Sequence, residues 1–236
     1  MMWTLLLAIA CNPAPAPEGF QQGVAYRDGL QANEPNSGER GSVKISEILW
    51  TGAVRNDGTY DPTDVFIELR NESARPVNVS NWQIQLEGTH YQTFIIPAVD
   101  WKIGVGEHVF IAAKSDGCFP DPDWVIPELN LPSYGDPFRL TLKDSDERLM
   151  EPAGSRTMPP FAGGYDLRVS RSMEKAELMF GARGGEPHAW HYYTEAVVDV
   201  TNNDRIAEAC RERTMASPGR PNSPDYSGSF SSGEAF

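Results

Sequence analysis

The chain has 236 residues, room for one well-buried domain with tails and too few for several full ones. Hydrophobic residues at 40% exclude a wholly disordered chain, while 21 Gly and 19 Pro favour many turns over long helices. With 33 acidic against 20 basic side chains the net charge is -13, a field that repels phosphate backbones, so no nucleic-acid partner is expected. No run approaches the roughly 18 apolar residues of a bilayer-spanning helix.

In chain order, the apolar run Trp3-Thr4-Leu5-Leu6-Leu7-Ala8-Ile9-Ala10 leads straight into Cys11. It resembles a short bacterial lipoprotein signal, with Ala8-Ile9-Ala10-Cys11 in the place of the lipobox. Small residues before the cysteine let the backbone enter a peptidase cleft, and the Cys11 thiol is then the acceptor of a diacylglyceryl group. On this reading residues 1–10 are a signal peptide and Cys11 is the lipid attachment that holds the protein to a membrane. Asn12, where an Asp would mark retention, points to the outer membrane of a two-membrane envelope. Residues 11–42, opening Asn12-Pro13-Ala14-Pro15-Ala16-Pro17, lack periodicity and read as a Pro/Gly-rich tether of roughly 30 Å as a coil and about 100 Å stretched.

From Val43 the pattern becomes that of strands. Val43-Lys44-Ile45-Ser46-Glu47-Ile48-Leu49-Trp50 is β-rich, and Asp64-Val65-Phe66-Ile67-Glu68-Leu69-Arg70-Asn71 and Trp82-Gln83-Ile84-Gln85-Leu86 alternate as half-buried strands do. Further strands are expected over 91–96, 108–113, 138–142, 167–173 and 189–196, separated by Gly, Asn, Asp and Pro turn signals. A short helix is expected within 199–213, with Thr201 or Asn203 as cap and Ile206, Ala209 and Cys210 on one side. Many short strands with frequent turns predict an all-β sandwich or barrel.

The ordered pieces Ile45-Ser46-Glu47-Ile48, Phe66-Ile67-Glu68-Leu69-Arg70-Asn71 and Val77-Asn78-Val79-Ser80-Asn81-Trp82 resemble the lamin tail domain family. So do Ile103-Gly104-Val105-Gly106-Glu107-His108-Val109-Phe110-Ile111, Phe138-Arg139-Leu140-Thr141-Leu142-Lys143-Asp144 and Ser217-Pro218-Gly219-Arg220-Pro221-Asn222. The resemblance implies an immunoglobulin-like β-sandwich over residues 43–222, of the type found in bacterial secreted proteins, followed by a disordered tail at 223–236. It also marks 118–137 and 181–216 as long inserted loops.

Candidate chemistry is sparse. Glu47 and Glu68 form a possible acid pair, but a strand carboxylate is more often solvated or bonded to a neighbouring turn, so no catalytic residue is assigned. No G-x-S-x-G elbow occurs, and the serine-rich stretch 227–232 lies in a terminal tail. Gly104-x-Gly106 precedes a strand rather than a helix, so it reads as a turn and not a phosphate cradle. His188-x-x-His191 has a zinc-like spacing that suits a helix, yet a strand there would send the two rings to opposite faces. The loop carrying Asp57, Asp61 and Asp64 offers oxygens around a tight turn, which makes these three the calcium candidates against a plain hairpin loop. Asp116, Asp121 and Asp123 are a weaker acidic cluster, and no cofactor is expected.

With Cys11 acylated, Cys118 and Cys210 remain, and an even pair in an exported chain is expected to form one disulfide joining the two inserted loops. The chain therefore reads as a non-enzymatic, lipid-anchored cell-envelope binding or structural module whose partner is an envelope protein or glycan. The alternative is an accessory domain serving a separate secreted hydrolase or nuclease. Trp101, Trp124, Tyr192 and Tyr193 are the aromatics that, where exposed, suit stacking on sugar rings. A filament role is disfavoured because no heptad repeat precedes the domain.

Overall fold

A computed structural model describes residues 40–97, 101–132, 134–176, 183–194 and 203–225. The signal, Cys11, the tether as far as residue 39 and the serine-rich stretch 227–232 fall outside them. The strands in chain order are β1 (Val43–Leu49), β2 (Ala53–Val54), β3 (Tyr60–Asp61), β4 (Phe66–Asn71), β5 (Val77–Asn78), β6 (Gln83–Gly88), β7 (Gln92–Ile95), β8 (Lys102–Ile103) and β9 (His108–Ala112). They continue as β10 (Trp124–Val125), β11 (Phe138–Lys143), β12 (Leu149–Gly154), β13 (Gly164–Tyr165), β14 (Ser170–Arg171), β15 (Met173–Lys175), β16 (Trp190–Tyr192) and β17 (Thr214–Met215).

Two sheets form an all-β sandwich. One has six strands in the order β10-β9-β4-β1-β15-β16, the other four in the order β12-β11-β6-β7. All pairings inside them are antiparallel except β10 with β9. Ile45, Ile48, Ile67, Leu69, Val109, Ile111 and Met173 of the larger sheet share one apolar core with Ile84, Leu86, Leu140, Leu142 and Met150 of the smaller. Trp82, fully buried, completes it where β6 begins. Its entry follows a left-handed turn residue, Asn81, at φ 62°.

Ile45 and Ile48 lie three residues apart, a spacing that would put them on opposite faces of a regular strand. A β-bulge between Ile45 and Glu47 in the pairing with β4 absorbs Ser46 and lets both isoleucines face the core. The larger sheet is covered on its other face too. There Leu49, Phe66, Phe110 and Ala112 form a second apolar cluster with Cys118, Phe119, Ile206 and Cys210 and with Met215 of β17. That cover explains why β4 is buried on both faces rather than half-buried as its alternation predicts.

Two other expectations are corrected. The 167–173 stretch is two strands in different sheets, because Ser170 and Arg171 pair with β13 and β17 while Met173 pairs with β1. The helix expected in 199–213 is, among the described residues 203–213, one 3-10 turn, Glu208–Cys210. Asn203 Oδ1 accepts the Arg205 N–H in a tight local turn, and the segment packs irregularly under its disulfide. Strand β12 lies outside the expected strands; its Pro152 sits in a strand at the sheet edge, where proline is tolerated.

Candidate functional site

The outer face of the six-stranded sheet carries one lateral row of chemically active side chains. Register places Phe110 opposite Glu68, Glu68 opposite Glu47, Glu47 opposite Glu174, and Glu174 opposite His191, a line across five strands. Directly opposed side chains on antiparallel strands have Cβ atoms only about 4.5–5.5 Å apart, so like charges there destabilise one another. All three glutamates are fully buried. Burial first, then the neighbouring Glu174 and Glu68 carboxylates, pushes Glu47 well above the usual carboxylate range. Burial pushes Glu68 up to about 8, and burial raises Glu174 as well.

Every partner the row gains comes from hydroxyls, backbone N–H groups and imidazoles. The Ser46 hydroxyl, presented by the bulge, donates to Glu68 Oε1 at 2.7 Å, and His108 Nδ1 meets the same oxygen at 2.7 Å. Ser217 donates its N–H to Glu47 at 2.9 Å and places its hydroxyl 3.1 Å from Glu47 and 2.5 Å from Glu174. The Gly219 N–H donates to Glu68 Oε2 at 2.7 Å, at a left-handed φ of 74° that a glycine adopts freely. Ser223 donates both its N–H and its hydroxyl to Glu174, and Asn222 Nδ2 bridges the carbonyls of Ser46 and Lys175. Glu47 and Glu68 are thus bonded to a turn rather than solvated, and the covering segment leaves no exposed carboxylate for a substrate.

The remaining predicted residues separate. Asp57 accepts the Thr59 N–H, Asp61 holds Lys114 at 2.6 Å, and Asp64 turns inward to accept the Cys118 N–H at 2.6 Å. The three calcium candidates thus each have a separate structural partner, and no three His, Cys, Asp or Glu among the described residues are placed to hold a metal ion. Asp64 leaves no room for a side chain at residue 117, where a Cβ would come within 2.4 Å of its carboxylate, which accounts for Gly117. His188 sits exposed in the 3-10 turn Pro187–Ala189 while His191 is buried in β16, so the pair does not converge. Asp123 accepts the Phe110 N–H, Asp121 offers its carbonyl to Arg205, and Asp116 stands exposed beside them in the chain.

Cys118 and Cys210 are disulfide-bonded, with Cα atoms 5.7 Å apart. The bond joins the segments around Cys118 and Cys210 into one layer, reinforced by the Ala207 N–H donating to the Cys118 carbonyl at 2.8 Å. Next to this layer lies an open groove of about 690 Å³ lined by Gly163, Tyr165, Asp166, Arg171, Tyr192 and Thr194 among others. Tyr165 is stacked on Tyr60 at 4.2 Å, and Arg171 donates to the Tyr193 carbonyl, which fixes both side chains in place. Of the four aromatics considered for sugar stacking, Tyr192 is 47% exposed and Tyr193 is buried, while Trp101 and Trp124 pack edge to face on each other at 6.0 Å.

The sequence matches no family model and no curated protein. Glu47 and Glu68 were visible as a pair in the sequence, but Glu174 and its cover were missed. The signal was present in the motif pieces themselves, since Ile45-Ser46-Glu47-Ile48, the Glu68 strand and Ser217-Pro218-Gly219-Arg220-Pro221-Asn222 all meet at this row.

Proposed function

We propose that the chain is a non-enzymatic binding module of the cell envelope, built on an immunoglobulin-like domain of lamin tail type and held to the outer membrane through a diacylglyceryl anchor on Cys11. The observation that carries the binding reading is the groove beside the disulfide-bonded loop layer. It combines the half-exposed Tyr192 and the fixed Tyr165 ring with a guanidinium from Arg171 and a carboxylate from Asp166. A few polar groups around aromatic surface suit a polyhydroxylated ring, because the ring's C–H face stacks on tyrosine while its hydroxyls take the charged groups. An envelope glycan is accordingly the partner proposed. The complete burial of Glu47 and Glu68 supports the non-enzymatic part of the reading.

The test is a pull-down of purified envelope saccharide by the full chain, alongside mass spectrometry of its native N-terminus. Retention that is lost in Tyr192→Ala, with thermal unfolding unchanged, supports the binding reading. Equal retention by both proteins, or none by either, overturns it. An unprocessed Met1 in a bacterial host that makes lipoproteins overturns the anchor.

A further inference from the structure

The segment 217–223 lies across the three glutamates outside any strand ladder, since β17 ends at Met215. Pro218 and Pro221 supply no N–H of their own, and the segment holds the sheet largely through donors aimed at carboxylates: the Ser217, Gly219 and Ser223 N–H groups and the Ser217 and Ser223 hydroxyls. Asn222 adds two bonds to backbone carbonyls.

We propose that residues 217–223 form a proton-dependent strap, closed over Glu47, Glu68 and Glu174 while that row keeps its protons and lifted as the protons are lost toward alkaline pH. Full ionisation would place three adjacent negative charges in a dry row, where like charges repel and each lacks the solvation it has in water. Lifting the strap restores water to them. The groups facing the row from the packed elements are His108 on β9, His191 on β16 and Asp123 before β10, whose negative charge acts on Glu68 in the same sense as the other carboxylates. The cations on the strap and its neighbours hold other acids: Arg220 holds Asp204, Arg205 holds Asp123, and Lys175 holds Glu151.

The direction follows from linkage. The closed state binds more protons than the open state over the interval in which the carboxylates titrate, so opening releases protons and is promoted by base. The upward displacement of Glu68 from 4.5 to about 8 makes that interval run from mildly acidic to mildly alkaline pH. Opening need not unfold the domain, because the strap contributes no strand to either sheet of the sandwich.

The experiment is amide hydrogen exchange on the full, disulfide-bonded chain between about pH 6 and pH 9, with intrinsic exchange rates divided out. The protection of the Ser217, Gly219 and Ser223 amides is expected to fall at least about tenfold while that of Leu140 and Leu142 in β11 holds, and Glu68→Gln is expected to shrink the fall. Constant strap protection, equal loss in strap and β11, or loss on acidification overturns the proposal. The comparison of strap with β11 within the wild-type protein decides the matter even where the Gln variant does not fold.

Discussion

Glu47 and Glu68 stand directly opposite each other on adjacent antiparallel strands, both without solvent exposure. Such a pair is tolerated when protons are shared and hydrogen bonds are supplied from above, here by Ser46, Ser217 and Gly219. The acidic composition of the chain therefore has a counterpart in the interior, where the same residue type is kept at least partly neutral.

Global stability should follow the same chemistry. A carboxyl group whose folded pKa is raised stabilises the fold fully below its unfolded value and loses that contribution as pH climbs to the folded value. For Glu68 the window runs from 4.5 to about 8. Asp61 works in the opposite sense: despite its partial burial, the Lys114 and Thr63 bonds hold it below the usual range, so its contribution fades as pH falls through that lowered value. The thermal midpoint should be highest near about pH 5 and decline through pH 8, with Glu68→Gln flattening the decline. Calorimetry across this range checks it, and a midpoint that rises from pH 5 to 8 contradicts it.

Trp82 is fully buried in the core and immediately precedes β6, so Trp82→Ala should destabilise by about 3–5 kcal/mol. Trp124, half-buried on the edge strand β10, should lose clearly less on the same change. Urea titrations of both variants give the comparison, and equal losses would show that β6 entry is not the anchor it is taken to be.

What was legible in the sequence followed from short-range physics. The strands β1, β4, β6, β9 and β11 announced themselves through β-branched and alternating residues, and Asn81 and Gly106 do take left-handed conformations, at φ 62° and 71°. The cysteine count gave the Cys118–Cys210 bond. What was not legible depended on register: no local pattern tells that Glu174 is the third glutamate of a row, because the other two, Glu47 and Glu68, lie more than a hundred residues away in sequence. The groove was equally hidden, as it needs Tyr165 from β13 and Tyr192 from β16 to meet across separate sheets.

The disulfide closes a separation of 92 residues, for which the chain-entropy model gives a contribution of about 4–5 kcal/mol. A double Cys118→Ala, Cys210→Ala variant should lose that amount yet still fold, because Phe66, Phe119, Ile206 and Met215 continue to hold the same layer by apolar contact. Denaturant unfolding checks the size of the loss. A variant that no longer unfolds cooperatively would mean that the loop layer depends on the bond and not on its packing.

Leu167 is 83% exposed and adopts φ 72°, a conformation in which its Cβ crowds the following carbonyl. The Asp166 carboxylate fixes this turn by accepting the N–H groups of Arg168 and Val169, so the leucine is held out beside two residues that line the groove. Neither burial nor backbone preference favours leucine here. Leu167→Gly should therefore stabilise the domain by about 0.5–1 kcal/mol through relief of the left-handed strain, offset in part by the greater freedom of glycine in the unfolded chain. If the exposed side chain serves the groove, the same variant should bind the envelope saccharide more weakly while melting at a higher temperature. Those two readouts move in opposite directions for a contact residue. A variant that is more stable and binds equally well would assign Leu167 no part in the contact, and a less stable one would show that the turn is held by packing of the leucine rather than by Asp166.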